Sequence, residues 1–188
     1  GAIAEEAEKN GAFTPKENAL FLRLKEECSY AVRFYQAHDS FLPDPLFRTE
    51  ESFALTSPEN PLVTFKGQFD KIISFGKEKR FFVILDYKTG SERFSEKLLP
   101  YGLSLQLPYY AYFAMNDPSL KREELIGLFI GPILSGQLVK ATQESLEKFN
   151  SDKFKIEGVF AKDIQKMTVF DPSSKNSDLI RSLSYTQQ

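Results

Sequence analysis

Asp70, Asp86 and Lys88 are the residues through which this sequence can do chemistry. Asp70 closes the segment Gly67-Gln-Phe-Asp70; Asp86 and Lys88 stand sixteen and eighteen residues further on, in Asp86-Tyr-Lys88-Thr-Gly90. Gln106 and Tyr110 follow in Gln106-Leu-Pro-Tyr-Tyr110. Two carboxylates roughly 5 Å apart in an effective dielectric near 20 repel by about 3 kcal/mol, so bringing them together calls for a cation. Lys88 offers one positive charge, and a divalent ion offers two. Hard oxygen donors at a partly open site suit Mg²⁺ or Mn²⁺, which take one or two carboxylates, keep waters and complete their shell on phosphate oxygens. The expected chemistry is cleavage of a phosphoester.

The elements that must position these groups read as a β-hairpin. Leu62, Val63 and Phe65 lead into Asp70, Phe81-Phe-Val-Ile-Leu85 leads into Asp86, and Gly76-Lys-Glu-Lys-Arg80 is the break between them. If the turn pairs Gly76 with Arg80, every cross-strand pair sums to 156 and Asp70 faces Asp86. Their Cβ atoms would then be about 4.5–5.5 Å apart. Side chains alternate along a strand, so Lys88 shares the face of Asp86 while Leu85 and Tyr87 point to the other.

A solitary D-x-K occurs by chance in many surface strands, where it is an ordinary ion pair. Three linked motifs in order argue for a site instead. Other chemistries lack their residues. The chain has no phosphate-binding G-x-x-x-x-G-K-S/T loop, no G-x-G-x-x-G and no C-x-x-C. Cys28 and His38 are ten apart with a helix between them, which gives no local nucleophile pair. A glycosidase could use two carboxylates but leaves Lys88 without a role.

Gly67 to Ile72, Leu85 to Gly90 and Gln106 to Tyr110 resemble the three signature segments of the RecB-type nucleases, a branch of the PD-(D/E)xK superfamily. Within that branch, Tyr101 to Tyr109, Leu128 to Leu134 and Phe154 to Phe160 are similar to the C-terminal nuclease domains of the AddB/RexB family, subunits of bacterial helicase-nucleases of double-strand-break repair. The likeness covers about residues 45 to 180. It implies an α/β fold with a restriction-endonuclease-like core, a mixed β-sheet flanked by helices. It also implies a metal-dependent deoxyribonuclease, exonucleolytic, acting on DNA in repair and recombination beside a helicase-nuclease partner subunit. Carried over, Asp70 and Asp86 are metal ligands for Mg²⁺ or Mn²⁺, with the Tyr87 carbonyl as a further one. Lys88 is the catalytic lysine that orients or polarises the attacking water, and Gln106 and Tyr110, four apart on one helix face, are a supporting pair. The alternative from another class is a catalytically weak or inactive nuclease-fold module for DNA interaction or scaffolding.

Two departures from the family bear on that choice. Its upstream histidine ligand has no match: the one histidine, His38, lies in Gln36-Ala-His38-Asp-Ser just before Pro43 and Pro45, and reads as a helix-end surface group. AddB-type domains also hold an iron-sulfur cluster on four cysteines. With Cys28 alone, no iron-sulfur cluster is expected in this chain, and Cys28 reads as a buried, inert helix residue. The expectation is a fragment or divergent relative of a larger protein.

Composition agrees. The 188 residues, 41% hydrophobic with 18 Phe, suffice for one domain and not two. We expect residues 1–13 to be loosely ordered and 14–188 to form a single domain. Gly1 without a Met reads as an expression scar, and the N-terminus has no secretory pattern. The longest apolar run, Leu125 to Leu134, is ten residues broken by Gly127, Gly131 and Pro132, so no membrane span and a cytoplasmic location are expected. A net charge of −2 is low for a nucleic-acid binder, a deficit that a metal site and a larger parent protein would offset.

Thr14-Pro-Lys-Glu17 has capping-box form, and Leu20, Leu24, Cys28, Ala31 and Tyr35 follow at helical spacing, predicting a helix over 15–38 with that stripe in the core. Strands are predicted over 47–56, 125–130, 154–160 and 168–170, the last two around a turn at Asp163 to Lys166, with a helix at 143–150. Glu50 or Glu51 is a candidate to complete the metal site. Residues 91–100 read as a loop whose Arg93 and Lys97 could touch phosphate or water. Ser104 is the expected N-cap of the Gln106 helix, with Leu107, Ala111 and Ala114 toward the sheet and Gln106, Tyr110 and Phe113 on another stripe.

Overall fold

The computed structural model describes residues 14–57, 60–90, 94–135, 150–173 and 176–181. The expectations for residues 1–13, Arg93 and most of the 143–150 helix lie outside these.

Helix α1 spans Pro15–Asp39, and its start is the capping box read from sequence: Thr14 Oγ1 accepts from Glu17 N at 3.3 Å and the Glu17 carboxylate accepts from Thr14 N at 2.9 Å. Strands β1 (Leu46–Thr56), β2 (Thr64–Phe75) and β3 (Phe81–Lys88) follow, then a 3₁₀ turn at Glu96–Tyr101, helix α2 (Gln106–Asn116), β4 (Glu124–Pro132), β5 (Glu157–Phe160) and α3 (Ile164–Phe170). The five strands lie in the order β1-β2-β3-β4-β5. Only β3 and β4 are parallel, so the sheet is mixed. Their connection runs through α2, as a parallel pair requires a crossover.

The β2–β3 register is the one the turn arithmetic gives: Phe75 pairs with Phe81, Ile73 with Val83 and Lys71 with Leu85. Gly76 makes the turn at φ +104°, where a Cβ would stand 2.2 Å from the Lys79 carbonyl. β3 is buried on both faces, which explains its unbroken apolar run. Phe81, Val83 and Leu85 pack beneath α1 and α3 with Tyr35, Phe129 and Phe170; Phe82 and Ile84 pack with Leu107, Tyr110 and Phe113 of α2. In β4 the rung between Phe82↔Leu125 and Val83↔Gly127 leaves Ile126 as an extra residue, which is why Ile126 and Phe129 fall on one face.

Several expectations require correction. Ala31 and Tyr35 are core, but Leu20 and Leu24 are 53% and 37% exposed, where they line a cleft beside the ends of β3 and β4, and Cys28 is half-buried. Residues 150–154 are helical, so Phe154 ends a helical turn and the strand begins at Glu157. The segment read as a turn and a strand at 163–170 is α3: Asp163 caps it, accepting from Gln165 N at 3.0 Å and Lys166 N at 3.3 Å, and the cap overrides the β preference of Thr168 and Val169. Within the loop expected at 91–100, residues from Glu96 form the 3₁₀ turn. The α2 cap is Leu105, not Ser104, whose φ is +56°, and Tyr110 and Phe113 join Leu107 and Ala114 on the buried face while Ala111 is only partly covered.

Candidate active site

The sheet forks where the two acids stand. Pairing between β2 and β3 ends at Lys71↔Leu85, while β3 continues along β4 through Asp86↔Ile130 and Lys88↔Pro132. Into the fork goes the Asp70 carboxylate, which accepts the Tyr87 N–H at 2.6 Å. β1 is distorted at the same rung. Its pairs Thr49↔Lys71 and Glu51↔Phe69 leave Glu50 facing Asp70, and Glu50 has φ +54°. Strict alternation would put Phe69 and Ile72 on opposite faces, yet both lie in the α2-side core, so the alternation of β2 breaks between them, opposite Glu50.

Asp86 is almost wholly buried, at 1% exposure. Its Oδ1 accepts from Gln106 Nε2 at 2.7 Å and lies 3.2 Å from the Tyr110 hydroxyl, which also reaches the Gln68 carbonyl at 3.1 Å. Gln106 Nε2 donates in addition to the Tyr110 oxygen at 2.9 Å. Asp86 Oδ2 differs: it is buried without an aligned hydrogen bond, and Lys88 Nζ stands 2.8 Å away as its ion-pair partner. Burial pushes the Asp86 carboxyl above its usual range, Lys88 opposes that, and the Asp70 charge adds to it. Burial likewise pushes Tyr110 up to about 12, so its hydroxyl keeps its proton at ordinary pH.

The sequence-predicted residues thus meet: Asp86, Lys88, Gln106 and Tyr110 in direct contact, and Asp70 beside them through the backbone of Tyr87. These donors suit a hard divalent cation. Asp86 is a buried carboxylate whose Oδ2 already faces a cation, Lys88 Nζ at 2.8 Å, and it lies near enough to Asp70 to feel that residue's charge. The Tyr87 carbonyl belongs to the same strand end. Among the described residues, no group of three or more His, Cys, Asp or Glu side chains is gathered around a common centre. Glu51 pairs with Arg48 at 3.5 Å, and the Glu50 carbonyl accepts from Gln68 Nε2 at 2.9 Å. His38 is held elsewhere: its Nε2 bonds the Phe170 carbonyl at 2.7 Å and its ring packs on Phe170.

Sequence reading missed the groups behind the site. Gly67 is glycine because the Phe53 ring lies over it, 2.2 Å from where a Cβ would be, and that ring packs on Phe69, Phe113 and Tyr110. An aromatic residue opposite a strand glycine is the signal that could have found it. Lys71, 8% exposed, meets Asp39 of α1 at 2.5 Å and covers the Phe47 ring. The bonds from His38 and Lys71 hold the Asp39 carboxyl below its usual value, although burial alone would raise it.

With this fold and this forked pair of acids, the chain belongs to the PD-(D/E)XK nuclease superfamily, whose family model matches residues 1–175. The five-stranded mixed sheet flanked by helices is its restriction-endonuclease-like core. The chain is also 29% identical over 126 residues to an ATP-dependent helicase/deoxyribonuclease subunit of Alkaliphilus metalliredigens (strain QYMF), covering 63% of this chain. The counterpart of that relative in Alkaliphilus oremlandii (strain OhILAs) is 27% identical over 133 residues, covering 67%. The chain spans 11% and 12% of the length of these two relatives. Among the described residues no helix is long and apolar enough to cross a membrane.

Proposed function

We propose that residues 14–188 are one nuclease domain of a larger cytoplasmic protein, a divalent-metal-dependent deoxyribonuclease that works exonucleolytically beside a helicase in double-strand-break repair. The observation that carries this reading is Asp86: a buried carboxylate, fixed through Oδ1 by Gln106 and Tyr110, with Oδ2 turned to a positive charge, Lys88 Nζ at 2.8 Å. Asp70, Asp86 and the Tyr87 carbonyl would hold Mg²⁺ or Mn²⁺, which supplies Lewis-acid polarisation of a phosphoryl oxygen. Lys88, 21% exposed, holds and orients the attacking water and offers charge to the phosphorane that develops. Gln106 and Tyr110 keep Asp86 in one rotamer, and Tyr110 stays a neutral donor. The helicase partner rests on the names of the two relatives, and the repair role on the resemblance of the motifs to AddB/RexB-type domains.

A scaffold reading has one observation in its favour, the Lys88 ammonium already 2.8 Å from Asp86 Oδ2. A nuclease assay separates the two. Linear DNA should be degraded with Mg²⁺ or Mn²⁺ and not with EDTA, a closed circle should resist, and Asp86→Ala or Lys88→Ala should lower turnover by orders of magnitude with the fold intact. Equal activity of Asp86→Ala and the unmutated chain overturns the site, and inactivity with every metal favours the scaffold.

A further inference from the structure

The two edges of the sheet differ. β5 is four residues long, and just before it Ile156 is already paired through its backbone with Leu179 and Arg181. β1 is eleven residues long, and among the described residues no backbone group is bonded to its outer side. Exposed edges are ordinarily blunted by charge, proline or an irregular rung. The first half of β1 is blunted in this way, by Arg48, Glu51 and the φ of +54° at Glu50. The second half, Ser52-Phe-Ala-Leu-Thr56, has neither charge nor proline.

The backbone of this half is set out for a further strand. Ser57 N–H bonds to the Val63 carbonyl at 2.8 Å, and backbone groups alternate along a strand, so Leu55 and Phe53 turn theirs to β2 while Thr56, Ala54 and Ser52 turn theirs outward. The side chains read the same in both directions: hydroxyl, large apolar, alanine, large apolar, hydroxyl. An antiparallel copy centred on Ala54 therefore sets Ser52 against Thr56 and Phe53 against Leu55, like facing like. One step of register either way sets Glu51 against Leu55, or brings Pro58, which has no N–H, into the ladder. On the α2 side of this edge Phe65 pairs with Leu55 and lies 6.3 Å from Tyr109 between ring centroids. The two rings are 38% and 46% exposed and extend the apolar surface of Phe53 and Leu55.

We propose that this chain forms a two-fold dimer by antiparallel pairing of β1 over residues 52–56, joining two five-stranded sheets into one. Free N–H and C=O groups call for an extended strand, and the symmetric order of side chains calls for the same strand reversed. The occupant is a second copy of this chain. The inference stands apart from the chemistry assigned to Asp86.

Sedimentation velocity of the unmutated chain over a wide range of concentration should show a monomer passing to a dimer and to nothing larger. Ala54→Pro removes an outward N–H that the β1–β2 ladder does not use, so it should weaken association by about tenfold or more with the monomer fold kept. Val159→Lys, at a 37% exposed position of the opposite edge, should leave association within about twofold. Mild oxidation in a Cys28→Ser background reads the register. Ala54→Cys sets two thiols across the axis with Cα atoms about 5.5 Å apart, within reach of a disulfide, and should cross-link. Ser52→Cys faces Thr56 of the other copy and should not. A monomer at every concentration, open-ended aggregation, a dimer indifferent to Ala54→Pro, or equal cross-linking of the two cysteine variants overturns the pairing. Thermal melts check each fold, and if Ala54→Pro melts early the two cysteine variants decide.

Discussion

The Asp70 carboxylate accepts the backbone N–H of Tyr87 at 2.6 Å, one residue past the last β2–β3 rung, and so a side chain occupies the place where the sheet divides. This fastens one acid to the strand that carries the other. It also orients the Asp70 carboxylate, since one of its oxygens accepts that N–H.

Removing either helper of Asp86 should reduce the reaction without abolishing it. Tyr110→Phe deletes the hydroxyl shared by Asp86 Oδ1 and the Gln68 carbonyl. A hydrogen bond of about 1 kcal/mol corresponds to a turnover lower by roughly tenfold or less. Gln106→Ala should act similarly. Single-turnover kinetics check this, and a loss as deep as that of Asp86→Ala would make Tyr110 a participant in the reaction itself.

Glu50 sits at φ +54°, where a residue other than glycine carries about 1–2 kcal/mol of strain. Glu50→Gly should therefore raise stability or leave it unchanged in chemical denaturation. If Mn²⁺ affinity falls in the same variant, the Glu50 side chain belongs to the metal site; unchanged affinity removes it as a candidate.

Gly67→Ala should destabilise the chain by about 1–3 kcal/mol, as overpacking does, because its methyl meets the Phe53 ring. Phe53 would be displaced from Tyr110, so activity should fall as well. A matched pair of melting curves and rates reads both effects.

Asp39 ties α1 to β2 through Lys71, and its folded pKa lies below the ordinary 3.8. Stability from that shift is fully present above 3.8 and is lost as pH falls through the lower folded value. Asp39→Asn, which also leaves Lys71 buried without its partner, should cost most at neutral pH and progressively less in acid. Urea midpoints across that range measure it; a cost that stays constant with pH contradicts the assignment.

Much of the frame was legible because local signals agreed with one another. A glycine-led turn of five residues set the hairpin register, and Thr14 with Glu17 set the start of α1. The fork was not legible. Nothing in the alternation of β2 announces that Phe69 and Ile72 share a face, since a break at one rung leaves the sequence period on either side intact. Likewise the stripe on α1 has one period throughout, but only tertiary placement decides that Tyr35 is buried and Leu20 is a cleft wall. The residue types at the candidate site could be read from their motifs; that Gln106 and Tyr110 share one oxygen of Asp86 could not.

A crystal of the chain soaked in Mn²⁺ and measured at the manganese absorption edge tests the central claim most directly. The account predicts one anomalous peak between the carboxylates of Asp70 and Asp86 at about 2.0–2.3 Å from their oxygens, with Lys88 Nζ withdrawn from Asp86 Oδ2, and no peak in Asp86→Ala. Lys88 still seated at 2.8 Å on Asp86 Oδ2, with no ion at saturating Mn²⁺, would contradict it.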